Sequence, residues 1–119
     1  MDGEDLTGCK PTEVPYSRPN SYQFFMDVKR GKEMAVREAL KEDRFLAHAH
    51  NEMKQTPLII AAKRNHLSIA RILIENKADV LAADQNGKTA RYYASVHGHT
   101  ELLHMLLIRI SSIFTHRHN

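Results

Sequence analysis

Apolar residues in the middle of the chain follow two short helical patterns. The first begins at Leu58 and contains two adjacent alanines, whose small side chains allow a neighbouring helix to come close. The second has apolar residues at i, i+1, i+4 and i+5 counted from Ile69. We therefore predict one helix that begins at Pro57 and another over residues 67–75. Helices of this length are marginal in water, so each pair must bury its apolar sides against a further pair.

The flanks of the first pattern contain helix-boundary signals. Thr56 is a good N-cap, and Pro57 suits the first helical position, where a missing N–H costs nothing. We expect the chain to reverse direction after Asn65 and His66. Together these signals predict a helical hairpin.

The chain repeats itself at a spacing of 33 residues. The segment Thr-Pro-Leu-Ile-Ile-Ala-Ala that starts at Thr56 returns as Thr-Ala-Arg-Tyr-Tyr-Ala-Ser from Thr89. Asn51 and Asp84 keep the same spacing. A regular period of this length is typical of proteins built from stacked units.

At these residues the sequence resembles the ankyrin family, whose repeat has this length and opens its first helix with Thr-Pro-Leu-His-x-Ala. The resemblance covers residues 22–107 and is strongest over residues 51–83, where Lys-Ala-Asp-Val from Lys77 matches the family's Gly-Ala-Asp-Val turn. The third unit keeps the Asp-Gln-Asn-Gly-Lys-Thr segment from Asp84 but loses the Pro and Leu of the opening. The resemblance implies an all-α ankyrin-repeat solenoid of helix-turn-helix units with short hairpin-like fingers.

On this basis we expect five segments along the chain. They are an extended or disordered N-terminal segment (1–21), a degenerate first repeat (22–50), a second repeat (51–83), a third, terminal repeat (84–108), and a C-terminal helical extension and tail (109–119).

The two ends of the chain leave alternatives open. The N-terminal segment contains three of the four prolines and is either a flexible tail or a segment that folds against a partner. Phe24 and Phe25 are predicted to cap the core of the first repeat. Near the other end, the last helix is expected to continue for one or two turns, and its apolar side either folds back on the third repeat or docks a partner or a second copy. That side consists of Leu103, Leu106, Leu107, Ile110, Ile113 and Phe114.

Two local features suggest departures from a regular repeat. Ile59 and Tyr92 stand where the family's repeat opening has His, so we expect apolar packing in place of the family's hydrogen-bond ladder. Asn86-Gly87 predicts a tight two-residue turn in one finger. The corresponding finger from Asn51 has no glycine, and we expect it to be looser or differently shaped.

Composition places the chain among folded intracellular proteins. Its 119 residues suit one domain, and 42% hydrophobic with 26% charged residues is typical of globular chains. The single Cys9 excludes an internal disulfide, and the acidic start is unlike a signal peptide. The most apolar run contains His104 and Arg109 and is too short to span a bilayer. We expect an intracellular location, most simply cytoplasmic, with cytoskeletal or nuclear locations also compatible.

The chain contains no pattern that predicts an enzyme, a metal site or a cofactor. Eight histidines include the His-x-His pairs that start at His48, His97 and His116, but zinc sites usually need four ligands, often cysteines. No nucleophile elbow, phosphate-binding glycine loop or metalloprotease helix is found. We therefore expect no catalytic residues, no metal ligands and no bound cofactor.

A basic strip is the chemical feature that the repeats bring together. Lys29-Arg30 and Lys63-Arg64 take equivalent places in successive units, although the third unit has Val96-His97 there. With lysines and arginines of the fingers they form either an ordinary solvated surface or a strip suited to an acidic peptide, an acidic protein tail or phosphate groups.

The resemblance implies a small adaptor, or a structural subunit of a larger complex, that binds protein through its concave face and fingers. Its partner is expected to be a protein, with an acidic surface or tail as one possibility. The alternative is nucleic acid or anionic lipid bound through the basic strip, and nucleic acid is less favoured because aromatic residues are not interleaved with the basic ones. The expected protein contacts are Met53, Lys54, Lys63, Arg64, Gln85, Asn86, Lys88, Arg91, Tyr92 and His97.

Overall fold

The computed structural model describes the backbone of residues 20–117 and the side chains of residues 20–114. This part of the chain contains six α-helices and one 3-10 helix, Arg44–His48, and its β pairing is a single bridge between Ala83 and Thr89. Nearly all of the predicted N-terminal segment lies outside the described residues. The α-helices are Ser21–Arg30 (α1), Glu33–Glu42 (α2), Pro57–Arg64 (α3), Leu67–Glu75 (α4), Ala90–Val96 (α5) and Thr100–Arg117 (α6).

The helices form three stacked pairs, which confirms the all-α solenoid that the resemblance implies. The inner helices α1, α3 and α5 pack in a row, and the outer helices α2, α4 and α6 pack behind them. The central inner helix, α3, contacts both neighbouring inner helices as well as α4. Every residue of α3 from Pro57 to Ala62 is buried. The second unit therefore supplies the centre of the core, as expected for a helix too short to be stable alone.

The helix boundaries predicted for the second unit are confirmed, and the third unit repeats the same capping bond. The Thr56 hydroxyl accepts a hydrogen bond from the backbone N–H of Ile59 at 3.2 Å, and Thr89 accepts one from Tyr92 at 3.3 Å. Both threonines thus satisfy an N–H group in the first helical turn that has no partner within the helix. The second predicted helix has the expected bounds, Leu67–Glu75.

All three inner helices end in the same turn. In each, one residue adopts the left-handed conformation and the next backbone N–H bonds to the carbonyl five residues earlier, at 2.9 Å. This arrangement satisfies helix carbonyls that lack a partner within the helix. The left-handed residues are Gly31, Asn65 and Gly98.

Histidines link successive units through these turns. The Nε2 of His66 donates to the carbonyl oxygen of Lys29 at 3.0 Å, and the Nδ1 of His99 donates to that of Ala62 at 2.8 Å. At the repeat openings, Ile59 is buried, as apolar packing requires, but Tyr92 is 42% exposed. The expected apolar packing is therefore correct at Ile59 and wrong at Tyr92, which lies in the first turn of α5 in the terminal unit.

Both ends of the stack carry apolar residues, with different burial. Phe24 and Phe25 lie in the core of the first unit, as predicted. The long final helix is also confirmed, and it packs one side against the third unit through Leu106, Ile110 and Ile113. The neighbouring positions, which include Leu107 and Phe114, remain exposed by 43% and 49%. Among residues 20–117, no helix has both the length and the apolar character to cross a membrane.

Candidate binding surface

Two finger loops project between the helical units: residues 51–55 form the first finger and residues 84–88 the second. In the first finger, the side-chain oxygen of Asn51 accepts from the backbone N–H groups of Met53 and Gln55, both at 2.9 Å. In the second, the Oδ1 of Asp84 accepts from Asn86 and Lys88, also at 2.9 Å. The backbone bonds that close the two loops match as well. The two fingers are therefore the same turn, 33 residues apart.

This equivalence corrects two expectations about the fingers. A two-residue turn on Asn86-Gly87 needs positive φ at both residues, but of the two only Gly87 has it, at 77°. The second finger instead turns over Gln85 and Asn86, and Gly87 follows in the left-handed conformation. In the first finger Lys54 takes that place with φ 62°, so the absence of glycine does not change its shape. The turn is stabilised in each loop by the acceptor side chain of its first residue, Asn51 or Asp84.

The fingers are joined to one another and to the helix behind them. The backbone N–H of Gln85 donates to the carbonyl oxygen of Met53 at 3.0 Å. The hydroxyl of Tyr93, on α5, donates to the second carboxylate oxygen of Asp84. The second finger is thus fixed to its own inner helix and to the first finger.

The hydrogen bonds around Asp84 shift the pKa of both partners. Burial raises the pKa of Asp84, but the bonds from the Tyr93 hydroxyl and from the backbone of Lys88 and Asn86, with the positive charge of Lys63, outweigh it. The net pKa of Asp84 lies below its usual value. The bond to Asp84, together with burial, raises the pKa of Tyr93 to about 12. The carboxylate and the protonated phenol therefore stabilise each other at neutral pH.

Two tyrosines of α5 each have a lysine over the ring. The Nζ of Lys63 lies 5.1 Å from the ring centroid of Tyr93, and the Nζ of Lys88 lies 4.7 Å from that of Tyr92. The ring of His97 also stacks on Tyr93, with centroids 6.3 Å apart and an interplanar angle of 16°. Tyr93 thus positions two basic side chains at the end of the inner helices.

A groove of about 520 Å³ lies between the first finger and the ends of the inner helices. All three units contribute to it, and no carboxylate lines it. Its three cations, Lys29, Lys63 and Arg64, form no ion pair with any residue of the described part of the chain. The lining residues are Lys29, Asn51, Met53, Gln55, Ile60, Lys63, Arg64 and His97.

The ten residues expected to contact protein are spread over this surface. Four of them line the groove: Met53, Lys63, Arg64 and His97. The others lie around it. Lys88 and Tyr92 contact each other, Lys54 borders a smaller recess of about 210 Å³, and Gln85, Asn86 and Arg91 are exposed on the second finger and the first turn of α5.

Sequence reasoning missed several residues that shape this surface. Asn51, Gln55 and Ile60 line the groove, and Tyr93 positions Lys63. Asn51 was detectable, because it keeps the repeat spacing with Asp84 and both side chains can accept two N–H groups. The position of Tyr93 depends on the packing of one unit on the next.

The histidine pairs do not form a metal site in the described part of the chain. His48 and His50 border the smaller recess together with Asp79. Among residues with described side chains, no cluster of three or more His, Cys, Asp or Glu could hold an ion. Cys9 and the pair that starts at His116 lie outside those residues.

Comparisons with known proteins identify the repeat. A family model described as ankyrin repeats (3 copies) matches residues 24–115. The mouse protein "Ankyrin repeat and SAM domain-containing protein 6" is 33% identical over 87% of this chain, and "26S proteasome non-ATPase regulatory subunit 10" of Dictyostelium discoideum is 32% identical over 67%. A rice protein, "Probable E3 ubiquitin-protein ligase XBOS33", is 43% identical over 44%. The chain spans 12%, 35% and 10% of the lengths of these three relatives, respectively. The match over residues 24–115 and the three stacked helix pairs show that this chain belongs to the ankyrin-repeat family.

Proposed function

We propose that this chain is a protein-binding adaptor, or a structural subunit of a larger intracellular assembly, that engages its partner through the inner face and the two fingers. Ankyrin repeats are generally protein–protein interaction modules, and the family is typically non-enzymatic. The Dictyostelium relative is named as a subunit of a larger complex, which supports the assembly role. The observation that carries the proposal is the continuous surface formed by the joined fingers and the groove.

The exposed cations on this surface favour a partner with an acidic surface or tail. Lys54 and Arg91 extend the positive charge of the groove onto the first finger and the start of α5. Single-stranded nucleic acid is less favoured, since bases bind by stacking on free aromatic faces. Here a lysine already lies over each ring of Tyr92 and Tyr93.

Affinity purification with quantitative mass spectrometry tests the proposal. The inner-face variant combines Lys63→Ala, Arg64→Ala, Arg91→Ala and Tyr92→Ala. The control combines Arg37→Ala, Lys41→Ala, Arg71→Ala and Met34→Ala, which removes the same number of charges from exposed positions on the outer helices. We expect the inner-face variant to lose the proteins that the wild type captures, because aromatic and arginine side chains dominate interface energies. If the inner-face variant captured the same proteins as the wild type and the control variant lost them, the binding interface would lie on the outer helices.

A further inference from the structure

We infer that the groove recognises an extended, carboxylate-rich peptide segment of the partner, with one acidic side chain held among Lys29, Lys63 and Arg64. The inference rests on the proposed protein-binding function and specifies the chemistry of the partner. It also assigns recognition to one recess rather than to the whole basic strip.

Three cations without an ion-pair partner among the described residues converge on the groove. Lys29 and Lys63 lie in the last turns of successive inner helices, where a positive charge interacts favourably with the helix dipole. The helix dipole explains why each helix has a basic residue there. It does not explain why Lys29 and Lys63 converge with Arg64 on a groove that no carboxylate lines. A recess lined by one sign of charge concentrates the electrostatic field and attracts the opposite charge.

The outer helix α2 shows a contrasting arrangement. There Arg37 lies 3.6 Å from Glu33 and Lys41 lies 3.8 Å from Glu38, so each base on α2 has a neighbouring acid. The bases on α2 thus have ion-pair partners, whereas none of the three groove cations lies within ion-pair distance of a described carboxylate, although the charge of Lys63 acts on Asp84. An incoming carboxylate supplies the ion pair that they lack.

The side chains of the groove offer mainly hydrogen-bond donors. The side chain of Asn51 is occupied within the first finger, where its oxygen accepts two N–H groups and its nitrogen donates to the Oε1 of Gln55. That bond uses one acceptor position of the Gln55 oxygen, and the N–H groups of the Gln55 side chain donate to no described residue. Together with the ammonium and guanidinium groups, Gln55 presents donors to a ligand rich in acceptors.

The groove also has the size and the partly apolar lining that a peptide segment requires. A volume of about 520 Å³ is far larger than one carboxylate and falls in the range of small-ligand sites. Ile60, which is 7% exposed, and Met53, which is 49% exposed, contribute apolar side chains to its lining. An acidic side chain and an adjacent apolar part of an extended segment therefore both find complementary surface.

Fluorescence anisotropy with the full chain tests this inference. The probe is a short fluorescein-labelled peptide of alternating Glu and Ala, and its control has Gln in place of Glu. The test variants are Lys29→Ala and Arg64→Ala. The matched control is Arg30→Ala, because Arg30 takes the place of Arg64 in the preceding unit but does not line the groove. Circular dichroism and thermal unfolding establish that each variant is folded.

We expect each groove variant to weaken binding of the Glu peptide about tenfold, as loss of one charge-assisted hydrogen bond does. Binding should change less than about twofold in Arg30→Ala, since rim charges of that kind contribute little. Equal weakening by Arg30→Ala, or equal affinity for the Gln peptide, overturns the inference. Tighter binding of oligouridylate or phosphatidylserine vesicles, with the same dependence on Lys29 and Arg64, also overturns it.

A competition experiment separates this inference from the proposed function. Excess Glu peptide should displace the proteins that the wild type captures and the inner-face variant does not. If those proteins are captured but the Glu peptide neither binds nor displaces them, the acidic-segment inference fails and the protein-binding function stands. If the inner-face variant captures the same proteins as the wild type, the proposed function itself fails.

Discussion

The first and second fingers reach the same turn with different residues. Asn51 opens the first finger and a lysine takes its left-handed position, whereas Asp84 opens the second and glycine follows. The difference teaches that the side-chain acceptor at the start of the loop determines the turn. Glycine lowers the cost of the left-handed residue but does not define the shape.

The fingers differ in how firmly they are held. The second finger has a charged acceptor, and Tyr93 binds the other oxygen of that carboxylate from α5. The first finger has a neutral acceptor, and its extra bond joins Asn51 to Gln55 within the loop. We therefore expect the second finger to be the more stable and the first to adjust more readily to a partner.

The largest effect is expected from removal of the charged acceptor. Asp84→Ala leaves the backbone N–H groups of Asn86 and Lys88 and the Tyr93 hydroxyl without their acceptor, and should lower the free energy of unfolding by about 3 kcal/mol. Urea denaturation measures the change. Asp79→Ala is the control, since its carboxylate accepts from one exposed N–H, that of Leu81. Equal losses in the two variants would contradict a special role for Asp84.

A smaller loss is expected in the first finger. Asn51→Ala removes two accepted bonds and one donated bond, and should cost about 2 kcal/mol because the acceptor is neutral. Asn51→Asp keeps the acceptor and should recover more than half of this loss in the same urea titration. A cost for Asn51→Ala as large as that for Asp84→Ala would remove the distinction between the fingers.

Substitutions of the left-handed residues Gly87 and Lys54 should change the free energy of unfolding in opposite directions. Gly87→Ala should cost about 1 kcal/mol, because its φ is 77° and a Cβ built there meets no atom within 4 Å, so the cost is conformational. Lys54→Gly should raise the free energy of unfolding by about 0.5 kcal/mol. Thermal unfolding of the two variants tests this. Destabilisation by Lys54→Gly beyond about 1 kcal/mol would show that the lysine side chain itself holds the first finger.

A comparably small effect concerns the phenol of Tyr93 and its dependence on pH. Tyr93→Phe should cost about 1 kcal/mol near neutral pH. The folded pKa of Tyr93 is raised to about 12, so its contribution is complete below about pH 10 and disappears as the pH rises towards 12. The folded pKa of Asp84 is lowered, so its contribution is present above about pH 4 and disappears as the pH falls through the folded value.

Urea titrations of the wild type and Tyr93→Phe across pH measure this difference. The two proteins should converge in stability at both extremes. A difference that stays constant up to pH 12 would show that the Tyr93 hydroxyl does not depend on Asp84.

Much of the fold was predictable, because local signals and the repeat agree. Thr56 and Pro57 fix the start of α3 through N–H groups that any helix leaves without a partner, so the boundary needs no tertiary information. The apolar spacing from Ile69 likewise predicted α4 without tertiary information, because helical periodicity is a local signal. Stacking followed from the shortness of the helices.

The fingers were harder because two local signals compete there. Asn-Gly favours one turn, but the carboxylate of Asp84 bonds two N–H groups that only the other turn brings together. The strip of basic residues was predictable from the repeat spacing. The groove was not, because residues of all three units, including Lys29 and Gln55, must pack together to form it. The bond from Tyr93 to Asp84 likewise requires the packing of α5 beneath the finger.

Amide hydrogen exchange of the full chain, followed by NMR, tests most directly whether the two fingers are one turn joined into one surface. The N–H groups of Met53 and Gln55 should be protected to within about tenfold of those of Asn86 and Lys88, since the same bonds hold them. The N–H of Gln85 should also be protected, because it donates to the first finger. Exchange at Met53, Gln55 and Gln85 as fast as in an unstructured peptide, with Asn86 and Lys88 still protected, would contradict the account.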